Sequence, residues 1–173
     1  MKKAFIAILG LILLCGCIEL PLEPVKWNPV TPEVEAQYQP YQKAGTNEIS
    51  GQAFLVQRSG TTVKAAGRQV TLDPATTLGT EWWNKCGVVW VHRSETPPSH
   101  VFQQARHSTT ADADGRFKFQ NLPPGKYYIR TEVTWETGVD YDPVQGGAVG
   151  KIIWVPTTAN EDVILNDFAS PGD

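Results

Sequence analysis

Apolar and polar side chains alternate most regularly between positions 111 and 135 of the chain. Phe117 and Phe119 lie two residues apart, so both fall on one face of a predicted strand, and Lys118 falls on the other face. Asp114-Gly115 precedes this strand and predicts a turn, because glycine tolerates positive φ and aspartate can bond to its own backbone. The segment therefore begins as a turn followed by a half-buried strand.

A second alternating strand follows after a break in the pattern. Pro123-Pro124 and Gly125 end the first strand, because proline has no backbone N–H for pairing and glycine allows the chain to reverse. The next strand has Tyr127, Ile129, Val133 and Trp135 on one face, with Arg130, Glu132 and Thr134 on the other. The two strands predict a β-hairpin. Since an isolated hairpin is unstable in water, we expect a second apolar layer to cover it.

Short apolar runs elsewhere predict further strands, separated by glycine and proline turns. One run, residues 86–92, is continuously apolar and predicts a strand buried on both faces. The other predicted strands cover residues 53–56, 61–63, 69–72, 101–109, 149–155 and 162–165. Residues 75–84 predict a helical turn, and residues 138–150 predict a long loop. About seven short strands at this spacing are typical of an antiparallel sandwich or barrel.

The central pattern D-x-D-G-R-F-x-F-x-N-L-P-P-G-x-Y-Y-I-R closely resembles the carboxypeptidase regulatory-like domain of the transthyretin-like superfamily. Residues 49–54 resemble the opening strand of that domain, and residues 66–76 resemble its next strand and turn. The resemblance covers roughly residues 49 to 166. It implies an all-β, about seven-stranded, antiparallel Greek-key β-sandwich over residues 49–168, with a C-terminal tail at residues 169–173. It implies little about activity, because such modules serve many hosts.

The first 16 residues have the layout of a secretory signal peptide. Met1-Lys2-Lys3 is basic, and the apolar run that follows it is too short to span a bilayer. The run ends in Leu14-Cys15-Gly16-Cys17, which resembles the lipobox of bacterial lipoproteins and implies lipidation at Cys17. Cys15 is the poorer acceptor, because bulky Leu14 would then precede it. An ordinary signal peptide and a short core helix are the alternatives.

Anchoring by acyl chains on Cys17 implies a membrane partner and a place in the cell envelope. Residue 18 is Ile, where a signal for inner-membrane retention would typically have Asp, so the resemblance to the sorting rule favours the outer membrane. Residues 17–48 are rich in proline and predict an extended tether. Two interpretations of Tyr38-Gln39-Pro40-Tyr41 are open: the segment folds back onto the sandwich, or it binds a partner.

Charge and composition narrow the classes of partner. Cleavage before Cys17 leaves 157 residues with 13 basic and 18 acidic side chains, which suits one mildly acidic domain with a tether. The chain has no basic run, so we do not expect it to bind nucleic acid.

Residues that could carry chemistry are scattered. His92, His100 and His107 lack a metal-ligand spacing, and the residue types of a Ser-His-Asp triad occur without a nucleophile elbow. Cys86 is predicted to be a buried apolar residue rather than a nucleophile, because apolar residues follow it. Residues 112–115 indicate a hairpin turn rather than a calcium loop, because further oxygen ligands are missing. We therefore expect no metal and no cofactor.

The transthyretin-like superfamily also contains an enzyme branch, the hydroxyisourate hydrolases. Those enzymes end in a Tyr-Arg-Gly-Ser-type tail, whereas this chain ends in residues 166–173 without it. An enzyme of this type is consequently the least favoured interpretation.

Six tryptophans are many for this length. Trp90 and Trp154 lie in apolar runs and are expected in the core. Trp82-Trp83, if on a strand, would face opposite sides, so one would tend towards solvent. Trp82, Trp83 and Trp135 are therefore the candidate partner-binding residues, and their alternative role is to cap the ends of the sandwich. The favoured function is a non-enzymatic adaptor for an unidentified envelope protein, and the alternative is a module that binds carbohydrate or peptidoglycan.

Overall fold

The computed structural model describes residues 24–88, 98–141, 143–156 and 162–171, and this part of the chain is mostly β-structure in two sheets. The strands are β1 (Asn47–Val56), β2 (Thr62–Lys64), β3 (Gln69–Pro74), β4 (His107–Thr110), β5 (Arg116–Leu122), β6 (Gly125–Glu136), β7 (Val144–Val155) and β8 (Val163–Leu165). Three short α-helices accompany them: α1 (Pro32–Ala36), α2 (Thr77–Trp82) and α3 (His100–Ala105). The prediction of an all-β sandwich is confirmed at this level.

The first sheet is built around β1. One part of β1, Asn47 to Gln52, pairs antiparallel with β5, and Phe54 to Val56 pairs antiparallel with β2. The last strand, β8, pairs with β1 in the parallel direction. The expectation of a purely antiparallel sandwich is therefore wrong for β8.

The second sheet has the order β4-β3-β6-β7, and all of its pairs are antiparallel. β6 and β7 pair over their whole length, from Gly125–Val155 to Glu136–Val144. The predicted loop at residues 138–150 is consequently much shorter, because β7 already begins at Val144.

The two central strands do not form the predicted hairpin. β5 pairs with β1 in the first sheet, whereas β6 pairs with β3 and β7 in the second. Pro123-Pro124, which lacks two backbone donors, lies between the two strands where the chain leaves one sheet for the other. The two strands both contribute side chains to the core between the sheets instead of pairing with each other.

The main core lies between the sheets and confirms the predicted faces of both strands. Phe117 and Phe119 are buried, as are Tyr127, Ile129 and Val133 from the opposite sheet. The turn before β5 also forms as predicted: the Asp112 carboxylate accepts hydrogen bonds from the backbone N–H groups of Asp114 (2.8 Å) and Arg116 (2.9 Å).

A second apolar cluster covers part of the outer face of the second sheet. It contains side chains from the helices and from the segment before β1, namely Tyr38, Leu78, Trp82, Cys86, Phe102 and Ala105. The predicted helical turn at residues 75–84 is confirmed as α2, which Thr76 caps by accepting a hydrogen bond from the Gly79 N–H (3.1 Å).

The helical layer replaces the first part of one predicted strand and the start of another. Residues 101–109 form α3 followed by β4, and Ser99 caps the helix by accepting a hydrogen bond from the Phe102 N–H (3.2 Å). The run at residues 86–92 begins in a π-helical turn, Trp83–Gly87. Residues 89–92 of that run, including Trp90 and His92, lie outside the described residues.

The segment before β1 folds back onto the sandwich, as one of the two interpretations predicted. Tyr38 is completely buried, and the Tyr41 ring packs edge-on against Tyr127 with 5.2 Å between ring centroids. The expectation of an extended tether is wrong at α1, where Thr31 caps the helix and Pro32 occupies its first turn.

Residues 1–23 lie outside the described part of the chain, so the predicted signal peptide and the lipidation of Cys17 stay predictions. In the part that the structure describes, none of the helices has the length and hydrophobicity required to span a membrane.

Candidate functional site

Trp82 and Trp83 are 1% and 0% exposed, so the expectation that one of them faces solvent is wrong. Trp82 is the last residue of α2 and Trp83 is the first residue of the π-helical turn, so neither lies on a strand. The Trp82 ring lies 5.7 Å from the Phe102 ring, and the Trp83 ring stacks on Tyr128 at 4.7 Å. Both indoles therefore belong to the packing between helix and sheet.

Trp154 also departs from its predicted position, since the prediction places it in the core and its side chain is 64% exposed. Its neighbours Ile153 and Val155 face the main core, so the alternation of β7 turns Trp154 outward. The Lys126 ammonium lies 6.0 Å from the centroid of its ring.

Trp135 is the member of the predicted set that lies at an accessible position. It is half-buried near the end of β6, where it packs against the main core. Its exposed side lines a groove of about 620 Å³ that also contains Phe168, whose side chain is 59% exposed. We call this site the aromatic groove.

Gly146 explains how the Trp135 ring can lie where it does. Gly146 follows the cross-strand partner of Trp135, Gln145, and has φ of +105°. A Cβ at this position would lie 2.1 Å from the Val133 carbonyl oxygen and 3.0 Å from the Trp135 ring. Only glycine lets the two strands and the indole approach this closely.

The turn between β1 and β2 provides a polar wall for the aromatic groove. Gln57, Arg58 and Ser59 line it, and Gln145 contributes from β7. The turn is closed by hydrogen bonds from the Gln57 N–H to the Thr61 carbonyl and from the Gly60 N–H to the Gln57 carbonyl, both 2.8 Å. The groove thus offers two aromatic rings together with amide, hydroxyl and guanidinium groups.

Phe168 was not singled out from the sequence. Its position depends on a backbone bridge to Val149 and on a hydrogen bond from the Ala169 N–H to the Ala148 carbonyl (3.0 Å). These contacts attach the end of the described chain to the edge of β7. A second groove, of about 520 Å³, lies on the other side of Phe168 and is lined by Lys151, Asn166 and Asp167, among others.

The other candidates for chemistry are dispersed. His100 is exposed at the start of α3, whereas burial lowers the pKa of His107. Cys86 is buried in the helical layer, as predicted. Within residues 24–171, as far as the structure describes them, no three His, Cys, Asp or Glu side chains lie close enough together to hold a metal ion.

Comparison with solved structures places the chain beside a candidate carbohydrate-binding protein from Pseudomonas aeruginosa. The two chains are 30% identical with a TM-score of 0.66, and the match covers 80% of this chain and 99% of the other. The chain therefore belongs to the same family of β-sandwich proteins as that Pseudomonas aeruginosa protein.

Two pilins also match, the major pilin subunit of Bacillus cereus and a streptococcal ancillary pilin. Each is 16% identical, with TM-scores of 0.35 and 0.31, and this chain spans 30% of either one. Similarities this weak carry no argument about function. No protein-family model and no curated protein matches the chain.

Proposed function

We propose that the chain is a non-enzymatic glycan-binding module of the bacterial cell envelope, and that the aromatic groove is its binding site. The observation that carries this proposal is the pairing of Trp135 and Phe168 in a groove with a polar wall. The Pseudomonas aeruginosa relative, named as a candidate for carbohydrate binding, supports the same class of ligand.

The chemistry of the groove suits a sugar. The C–H faces of a pyranose ring pack against aromatic rings, and Trp135 and Phe168 present such surfaces. Sugar hydroxyls both donate and accept hydrogen bonds, and Gln57, Ser59 and Arg58 offer donors and acceptors at the wall. No acidic side chain lines this groove among the described residues, so neutral and acidic glycans are both acceptable.

The size of the groove favours an oligosaccharide over a single sugar. Its volume of about 620 Å³ lies within the range of small-ligand sites, roughly 300–1,000 Å³. The adjoining groove of about 520 Å³ shares Phe168 with it. A glycan of several units can therefore pass over Phe168 from one groove to the other.

A second candidate function, a protein adaptor, is favoured by β7. This strand is the last in its sheet, and among the described residues the C-terminal segment bridges it near its middle, at Val149. Trp154 lies exposed beyond that covered part. Such an edge can accept a strand from a partner protein. Crosslinking in intact envelopes that Trp154→Ala abolishes and Trp135→Ala leaves intact would favour this second function.

We also propose that the module is a lipoprotein of the outer membrane with a carboxypeptidase regulatory-like, Greek-key sandwich. The lipobox at Leu14-Cys15-Gly16-Cys17 supports the anchor. Cys17→Ser should abolish palmitate labelling and membrane retention, whereas Cys15→Ser should leave both largely intact. Labelling that survives the loss of Cys17 would show that the assigned anchor is wrong.

Binding measurements on the mature chain test the groove. The wild type is screened on an array of envelope and capsular oligosaccharides, and the dissociation constant of the best ligand is then measured calorimetrically. Trp135→Ala and Phe168→Ala should each weaken binding about thirtyfold or more, because truncating a central aromatic typically costs at least about 2 kcal/mol. Trp154→Ala, which removes an exposed indole elsewhere, should leave the affinity unchanged. Equal losses in all three variants would contradict the assignment.

A further inference from the structure

A smaller cavity of about 280 Å³ lies on the outer face of the second sheet, beside the helical layer. It shares none of its lining residues with the aromatic groove. Three arginines line it, Arg68, Arg106 and Arg130, together with Thr71, Trp82 and Glu132. We call this site the arginine pocket.

Two of the three guanidinium groups are held in place. Arg106 binds the buried Asp73 carboxylate with two hydrogen bonds, from Nε (2.6 Å) and Nη2 (2.9 Å), and lies 4.3 Å from the centroid of the Trp82 ring. Arg130 donates from Nε to the Gly87 carbonyl (2.5 Å) and from Nη2 to Glu132 (2.7 Å). These contacts preorganise both groups for a planar anion, because they leave other N–H donors of each fork for a ligand.

Arg68 is the third arginine that lines the pocket. Its side chain is exposed, and its Nη2 donates to the Thr134 hydroxyl on β6 (2.7 Å). It can therefore close over a bound ligand without disturbing the core.

Thr71 supplies an independent sign of a ligand. The residue is only 7% exposed, lies on β3 opposite Arg130, and lines the pocket. Its buried hydroxyl has no hydrogen-bond partner among the described residues. Buried polar groups are nearly always paired, so an orphaned hydroxyl on a residue that lines a cavity indicates that something else completes its hydrogen bonding.

The balance of charges defines the class of ligand. Three guanidinium groups face two carboxylates, those of Asp73 and Glu132, which leaves one formal positive charge. A single excess charge matches a monoanion such as a carboxylate better than a doubly charged phosphate. Glu132 can accept hydrogen bonds from ligand hydroxyls. The volume, near the lower end of small-ligand sites, admits one sugar-sized unit.

We propose that the arginine pocket binds one carboxylate-bearing sugar, a uronic acid, with the carboxylate on the arginines and a hydroxyl on Thr71. The choice of a sugar acid rests on the proposed glycan function. The site itself does not, because it uses different residues from the aromatic groove.

The test titrates the full mature chain with glucuronate, with glucose as the neutral match, and with inorganic phosphate. Glucuronate binding is read from the Trp82 indole N–H resonance and from calorimetry. Arg68→Gln should weaken it about tenfold, as expected for one charge-assisted hydrogen bond. Thr71→Val, which keeps the shape and removes the hydroxyl, should weaken it several-fold.

Two control variants separate this proposal from the aromatic groove. Arg116→Gln removes an exposed arginine of β5, in the first sheet, that does not line the pocket and forms an ion pair with Asp162. This substitution should not change glucuronate binding. Trp135→Ala should also leave glucuronate binding intact, even if it abolishes oligosaccharide binding.

Four results would overturn the proposal: glucose binding as tightly as glucuronate, phosphate binding more tightly, equal effects of Arg68→Gln and Arg116→Gln, or no change at Trp82 with any of the three. The last result would mean that ordered water alone completes the hydrogen bonding of the Thr71 hydroxyl.

Discussion

Replacing Trp83 with alanine removes a buried side chain that packs between the helical layer and the second sheet. The Trp83 ring is completely buried and stacks on Tyr128, with 4.7 Å between centroids and 19° between planes. Its indole N–H donates to the Ser170 carbonyl over 3.0 Å and so also holds the C-terminal segment. The substitution therefore tests whether this tryptophan is a core residue.

The expected loss follows from three contributions. Truncating a buried tryptophan to alanine costs about 3–5 kcal/mol through lost burial and the cavity that remains. The stacked pair with Tyr128 adds about 0.5–1.5 kcal/mol, and the hydrogen bond to Ser170 a similar amount. Since these effects overlap, we expect a total of about 4–6 kcal/mol. Against a typical stability of about 5–15 kcal/mol, Trp83→Ala can unfold the domain.

Urea unfolding followed by circular dichroism measures the effect. Trp83→Phe keeps most of the ring and loses the N–H, so it should cost only about 1–3 kcal/mol and keep the transition measurable. Trp154→Ala is the matched control, because that indole is 64% exposed, and it should cost less than about 1 kcal/mol. Equal losses for Trp83→Ala and Trp154→Ala would refute the buried position of Trp83.

Two further predictions concern the core and its ionisation. Phe119→Ala should cost about 3–5 kcal/mol in the same unfolding assay, whereas exposed Lys118→Ala should cost less than about 0.5 kcal/mol, and similar midpoints would mean that the faces of β5 are reversed. Burial raises the pKa of Tyr38 to about 12, whereas the same hydroxyl in the unfolded chain ionises at about pH 10. Because the unfolded state loses this proton first, the folded state should lose stability as pH rises from about 10 through about 12. Tyr38→Phe should move the alkaline unfolding midpoint to higher pH, and Tyr141→Phe, at an exposed ring, should not; an unmoved midpoint in Tyr38→Phe would contradict the burial of that hydroxyl.

Local patterns predicted the faces of the alternating strands β5 and β6 well, because a period of two depends only on neighbouring residues. Phe117 and Phe119 both lie in the core, because residues two apart on a strand point to the same face. Pairing between strands is a different matter. β5 pairs with β1, far away in the sequence, so its separation from β6 into another sheet follows from tertiary packing rather than from the residues between them.

The candidate site was predicted only in part. The exposure predicted for Trp82-Trp83 is wrong because it applies the alternation of a strand, although the pair lies within residues 75–84, where the sequence predicts the helical turn that forms as α2. The core position predicted for Trp154 is wrong because residues 152–155 are all apolar, so the sequence does not show which of them face the core. Phe168 could not be found from the sequence, since its place depends on the edge of β7.

The indole N–H spectrum of the mature chain tests the central claim, that Trp135 and Phe168 form a glycan site, most directly. Each tryptophan gives one signal, and Trp135→Phe identifies that of Trp135. On addition of the tightest-binding oligosaccharide, the Trp135 signal should shift and saturate with the calorimetric dissociation constant, while the buried Trp83 signal and the exposed Trp154 signal stay in place. A shift of Trp154 with Trp135 unmoved would contradict the aromatic groove and place the ligand on β7.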